Sequence, residues 1–164
     1  MKNSYRFSLL TICVLVTAVL TAGVATADIV TFTADLSGAN AVPPNASTAT
    51  GVAILTLDTD AGSFGIPLYL EFSGLSSAQT GAHVHSGGAG ANGPAIHGLP
   101  LGSPLNTSLD LEGLIEIIFL NAGDLYVNIH TVEFPGGEIR GQLLMTDTVA
   151  TENTTWGTIK TLYR

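Results

Sequence analysis

Four histidines are the side chains of this chain best suited to chemistry, and they fall in two stretches. Gly81-Ala82-His83-Val84-His85 leads through a glycine-rich loop to His97, and Tyr126-Val127-Asn128-Ile129-His130-Thr131 carries the fourth. Neutral imidazole is a ligand for copper and zinc, and an all-nitrogen set without thiolate favours Cu(II) over its neighbours. One reading is therefore a single-metal site. The other is structural, with the rings donating N–H groups to carbonyls of the glycine-rich segment. A metal-ligating histidine needs an acceptor for its free ring nitrogen, and Asp110, Glu133 and Glu138 are candidates.

The surrounding sequence narrows the other chemistries. Gly88-x-Gly90-x-x-Gly93 has the spacing of a phosphate-binding loop, but Pro94 and a short apolar piece follow where that chemistry needs a helix. No Gly-x-Ser-x-Gly elbow and no outstanding carboxylate pair is present. Arg140, in Gly137-Glu138-Ile139-Arg140-Gly141-Gln142, is the one cation between residues 28 and 159. Glu138, two residues away on the same strand face, is its expected ion-pair partner.

The elements that must position these groups read as strands. Val30, Phe32, Ala34 and Leu36 alternate with Thr31, Thr33 and Asp35, and Ala53, Leu55 and Leu57 alternate with Ile54, Thr56 and Asp58. A third run from Phe64 to Phe72 is interrupted by Pro67, which predicts an edge or a bulge. Turn formers such as Asp60-Ala61-Gly62 and Ser73-Gly74 separate the runs. The pattern predicts an antiparallel sandwich or barrel. Leu109 to Leu120 fits either a strand or a short helix. A last strand is expected over Ile139 to Leu144. Strand alternation puts His83 and His85 on one face, opposite Val84. Likewise Tyr126, Asn128 and His130 lie opposite Leu125, Val127 and Ile129.

Residues 1–27 read as a secretory signal peptide: Lys2 and Arg6, an apolar run from Phe7 to Leu20, then Ala25-Thr26-Ala27 before Asp28. Cys13 lies inside that run, so the mature chain would have no cysteine and no disulfide. It would keep three cations against thirteen acids, a net charge of −10. Such a chain is a poor match for nucleic acid or an anionic membrane. The expected organisation is one domain over 28–145 and a tail over 146–164. The tail contains Trp156, the only tryptophan, and reads either as a docking peptide for a protein partner or as a weakly ordered terminus.

Several of these stretches resemble the CHRD domain, named after chordin. They are Ala82-His83-Val84-His85, Gly90-Ala91-Asn92-Gly93-Pro94, Tyr126 to Thr131, and Pro135-Gly136-Gly137-Glu138-Ile139-Arg140-Gly141-Gln142-Leu143. Phe32-x-Ala34-x-Leu36-x-Gly38 and Val42-Pro43-Pro44 resemble its opening, so the likeness spans about Asp28 to Met145. The resemblance implies an all-β domain but little settled biochemistry. The order of the four histidines is also similar to that of the copper ligands of copper–zinc superoxide dismutases, which are Greek-key barrels. That similarity implies a ligand set of His83, His85, His97 and His130, with Arg140 as an anion-steering residue. The zinc half and the disulfide of those enzymes have no counterpart here.

The expectation is thus a secreted or periplasmic, all-β Greek-key barrel or sandwich of dismutase-like form. It would bind one copper ion, or zinc as second choice, through His83, His85, His97 and His130, with Arg140 and Glu138 nearby. Binding, storage or delivery is preferred over catalysis, since four ligands leave no open position. A copper-only redox enzyme and a metal-free protein-binding module are the alternatives.

Overall fold

The computed structural model describes residues 28–150; the expected signal peptide and the Trp156–Arg164 tail lie outside the described residues. Nine strands and one helix follow in order: β1 (Asp28–Ser37), β2 (Thr50–Asp58), β3 (Ile66–Ser73), β4 (Gln79–Ser86), β5 (Ala95–Gly98), β6 (Leu105–Leu109), α1 (Leu114–Ala122), β7 (Leu125–Thr131), β8 (Ile139–Gln142) and β9 (Leu144–Ala150). All pair antiparallel in a single sheet of order β5-β4-β7-β8-β1-β2-β3-β6, with β9 continuing β8 alongside β1. The two outermost strands, β5 and β6, are consecutive in sequence, and the sheet curls into a nearly closed barrel. Because β3 to β4 crosses four intervening strands, the connectivity is not a simple meander.

Alternation decides the interior. Phe32, Ala34 and Leu36 of β1, Ala53 and Leu55 of β2, Leu68 and Leu70 of β3, Val84 of β4, Val127 and Ile129 of β7 and Ile139 of β8 form one buried core. Their odd-numbered or even-numbered neighbours, the histidines of β4 among them, point outwards. With no disulfide in reach, this apolar burial is the main cohesive term.

Three readings are refined. Pro67 does not mark a sheet edge: β3 runs between β2 and β6, and the β2 ladder ends at Leu68, so the missing N–H falls where β2 has no bond to lose. The ambiguous apolar stretch divides, with Leu109 closing β6 and Leu114–Ala122 turning as α1. Gly113 (φ 84°) and Gly123 (φ 74°) bracket that helix, and the left-handed Gly123 returns its N–H to the Leu120 and Phe119 carbonyls. Finally, the strand pattern does not stop at Leu144. Leu143 turns inward as a fully buried residue, and β9 then pairs with β1 as far as Ala150, into the segment expected to be tail.

Candidate metal centre

His83, His85 and His130 come together on the outer face of the barrel. His83 and His85 are alternate residues of β4, and β7 lies beside it with His83 opposite Asn128, His85 opposite Tyr126 and Gly81 opposite His130. Ring centroids are 5.7 Å apart for His83 and His85, 5.0 Å for His83 and His130, and 5.9 Å for His85 and His130. One nitrogen from each ring lies within 4.8 Å of the other two. Gly81 makes this approach possible: a Cβ there would stand 3.0 Å from His83 Cε1 and 3.7 Å from His130 Cδ2. Its place two residues before the His-x-His pair was visible in the sequence, but its role depends on the β4–β7 register.

Hydrogen bonds orient two of the rings. His85 Nδ1 lies 2.9 Å from the Gly93 carbonyl and His130 Nδ1 lies 3.0 Å from the Pro135 carbonyl. A carbonyl only accepts, so both Nδ1 atoms carry the proton. The His85 Nε2 lone pair is left for the centre, while that of His130 Nε2 accepts a long 3.4 Å contact from Asn128 Nδ2 that an ion would have to displace. His85 Nε2 and His83 Nδ1 are buried and have no protein partner. Burial holds the pKa of His83 below the usual histidine value, with a further push from His130. Burial also lowers that of His85; the Gly93 carbonyl opposes this, while His130, His83 and Arg140 reinforce it. Both rings therefore favour the neutral, metal-binding form.

The donor set fits a metal ion. Two orphaned buried nitrogens and a third oriented imidazole converge, and nitrogen ligands around an ion at about 2.0–2.1 Å stand roughly 3–4 Å apart, within reach of small ring rotations. The three residues that would hold the ion are His83, His85 and His130, leaving a fourth position open.

His97 is not part of this group. In the β4–β5 ladder it stands opposite Val84, so it shares the face of that core residue rather than that of His83 and His85. Its Nε2 instead meets Glu116 Oε2 at 2.8 Å, the one salt-bridge contact among the described residues, while that same oxygen accepts the Glu112 N–H at 2.9 Å. The structure brings together three of the four histidines expected at the site, and leaves His97 apart from them.

The carboxylates are also elsewhere. Asp110 caps Gly65 N–H at 2.7 Å, and Glu133 sits in an exposed turn whose N–H donates to Ser77 Oγ. Glu138 is fully buried and accepts from Ser47 Oγ (2.7 Å), Ser76 N–H (2.8 Å), Ser76 Oγ (3.0 Å) and Thr131 Oγ1 (2.7 Å). Burial alone would raise its pKa, but these donors outweigh it and hold the carboxyl below the usual range. It is a structural anion tying β7 to the two preceding loops, and it does not pair with Arg140. Backbone carbonyls take the acceptor role expected of the acids.

Arg140 lies flat on Tyr126, its Cζ 3.5 Å from the ring centroid, and Tyr126 stacks on His85 at 4.9 Å and 12°. Arg140 Nη2 donates to the Gly88 carbonyl at 2.9 Å and to Gln142 Oε1 at 3.2 Å. Gln142 Nε2 donates to the carbonyls of Gly87 and Gly123 at 2.8 and 2.6 Å. The Gly93 N–H donates to Tyr126 Oη at 3.1 Å. The glycine-rich loop is therefore pinned over β7 and β8 and buries Tyr126, while the Gly136–Gly137 turn, whose Gly136 carbonyl accepts from Asn128 Nδ2 at 3.2 Å, covers Asn128, although both residues lie opposite the core face. Gly93 is required for this closure, because a Cβ there would collide with the Ser86 carbonyl.

Comparison with known proteins agrees with this architecture. The CHRD-domain profile matches residues 32–143, from the first core residue of β1 to the buried Leu143 between β8 and β9. No curated protein and no solved structure matches the chain. The match covers both histidine strands, the loop between them and most of the barrel, and the chain belongs to the CHRD domain family.

Proposed function

We propose that this protein is an exported module that binds one metal ion, copper in preference to zinc, through His83, His85 and His130, and that it holds or delivers that ion outside the cytoplasm. The observation that supports it most is the pair of buried, unpartnered ring nitrogens, His83 Nδ1 and His85 Nε2, facing His130. Leaving such atoms unsatisfied costs about 1–3 kcal/mol each, which a bound ion would offset. CHRD domains occur in extracellular proteins, and among the described residues no helix is long and apolar enough to cross a membrane. An all-imidazole set without thiolate suits Cu(II).

Three ligands with an open fourth position suit exchange of the ion with a recipient. The same opening supports a second reading, copper-dependent redox chemistry, because catalytic metal sites keep such a position. In either case the chain supplies three imidazoles, two of them oriented by carbonyls.

Thermal unfolding of residues 28–164 with and without one equivalent of Cu(II) or Zn(II), beside a His83→Ala/His130→Ala variant, tests this. Copper at a thousand times its Kd is expected to add about 4 kcal/mol of stability to the parent and nothing to the variant. A melting temperature that no metal moves would reject the metal site and leave a structural or protein-binding module. Superoxide loss proportional to bound copper would select the redox reading over storage.

A further inference from the structure

A cavity of about 660 Å³ opens between β1, β8, β9 and the loops around Val42 and Gly90. Its size is that of a small-molecule site. Only two charged side chains are in its wall, Arg140 and Asp35. Arg140 is 2% exposed, and its Nη1 is buried with no partner. Its other contacts are carbonyl and amide oxygens and the Tyr126 ring, so no carboxylate among the described residues neutralises it. An uncompensated buried cation is costly, and a ligand carboxylate would relieve it.

Asp35 has the opposite sign and stands at the open side. Ser37 faces Arg140 in the β1–β8 ladder, so Asp35, two residues earlier and exposed, lies on the same face about 7 Å along the strand. Val42, Pro44 and Leu144 supply apolar wall between and around them. A simple anion would meet Asp35 and the net negative charge of the chain; a zwitterion satisfies both ends.

We propose that this cavity binds a free amino acid with an aliphatic side chain, its carboxylate on Arg140, its ammonium on Asp35 and its side chain against Val42, Pro44 and Leu144. The cavity has no histidine in its wall, and Arg140 connects to the metal centre only through the stack of Tyr126 on His85.

The test is amide NMR on the metal-free protein purified after export, titrated with L-leucine, leucinamide and 4-methylpentanoate. L-Leucine is expected to give saturable shifts at Thr33, Asn40, Ala89 and Thr146, with the other two probes about tenfold weaker or more, since each lacks one charged contact. Asp35→Asn, at an exposed position, keeps the fold and is expected to weaken L-leucine about tenfold and to erase its advantage over 4-methylpentanoate. No saturable shift with millimolar L-leucine, shifts that map away from the cavity, or equal binding of 4-methylpentanoate would each overturn the proposal.

Discussion

Glu138, fully buried, and the half-buried histidines of the centre are polar groups with opposite demands. Glu138 has four donors and no cation, so its charge is held by hydroxyls and one backbone N–H alone. Removing it strands those donors in the interior, and Glu138→Ala is expected to cost on the order of 3–5 kcal/mol in urea unfolding. Because its folded pKa is depressed, its contribution is present above the unfolded carboxyl value of about 4.3 and is lost as pH falls through the folded value. His83 and His85 act earlier on the pH scale. Their folded pKa values are lowered, so between the unfolded value of about 6.5 and the folded ones the unfolded chain binds more protons. Stability of the metal-free protein is expected to decline as pH drops below about 6.5, and a His83→Ala/His85→Ala variant to lose most of that decline; melting curves across pH read both.

At the scale of elements, the loop between β4 and β5 and the helix α1 have separate tasks. Gly93→Ala places a methyl group against the Ser86 carbonyl, breaking the turn that orients His85. It is expected to weaken copper binding about tenfold or more, an effect of roughly 1.4 kcal/mol or greater by calorimetry. Gly90→Ala is the control: nothing lies near its added Cβ, and φ of 78° costs about 1–2 kcal/mol of strain while copper affinity stays within about twofold. The contact of His97 with Glu116 joins β5 to the first turn of α1. Glu116→Gln is expected to leave copper affinity unchanged and to raise amide hydrogen exchange across Leu114–Ala122, because it removes the charge on that tether.

For the whole molecule, charge and topology set the context of the site. The chain from residue 28 onwards has three cations against thirteen acids, so an approaching metal cation meets an attractive field. Copper association measured by stopped flow is expected to slow as ionic strength rises from about 0.01 to 0.15 M, where the screening length shrinks from about 30 to 8 Å. A rate indifferent to salt would mean that the field does not reach the centre. The barrel itself makes β4, β7 and β8 neighbours although a helix and two other strands intervene in the chain, which is what gathers the histidines, Tyr126 and Arg140.

Much of this was legible without a structure. Period-two alternation is local, so β1 and β2, the shared face of His83 and His85, and the opposed faces of β7 could be read from neighbouring residues. The turn residues and the absence of helical periodicity gave the all-β class, and the resemblance carried by the two histidine strands gave the family. What alternation does not provide is parity across a loop. Eleven residues separate His85 from His97, and with an irregularity between Val84 and His85 in the β4–β5 register, only the ladder showed that His97 stands with Val84. Partner choice for charged side chains failed for the same reason: Glu138 and Arg140 are close in sequence, yet their partners come from Ser47, Ser76, Gly88 and Tyr126, which long-range pairing alone brings near. The sequence by itself determined which side chains share a strand face; the tertiary structure decided which strands lie side by side, because register and closure are properties of the whole sheet.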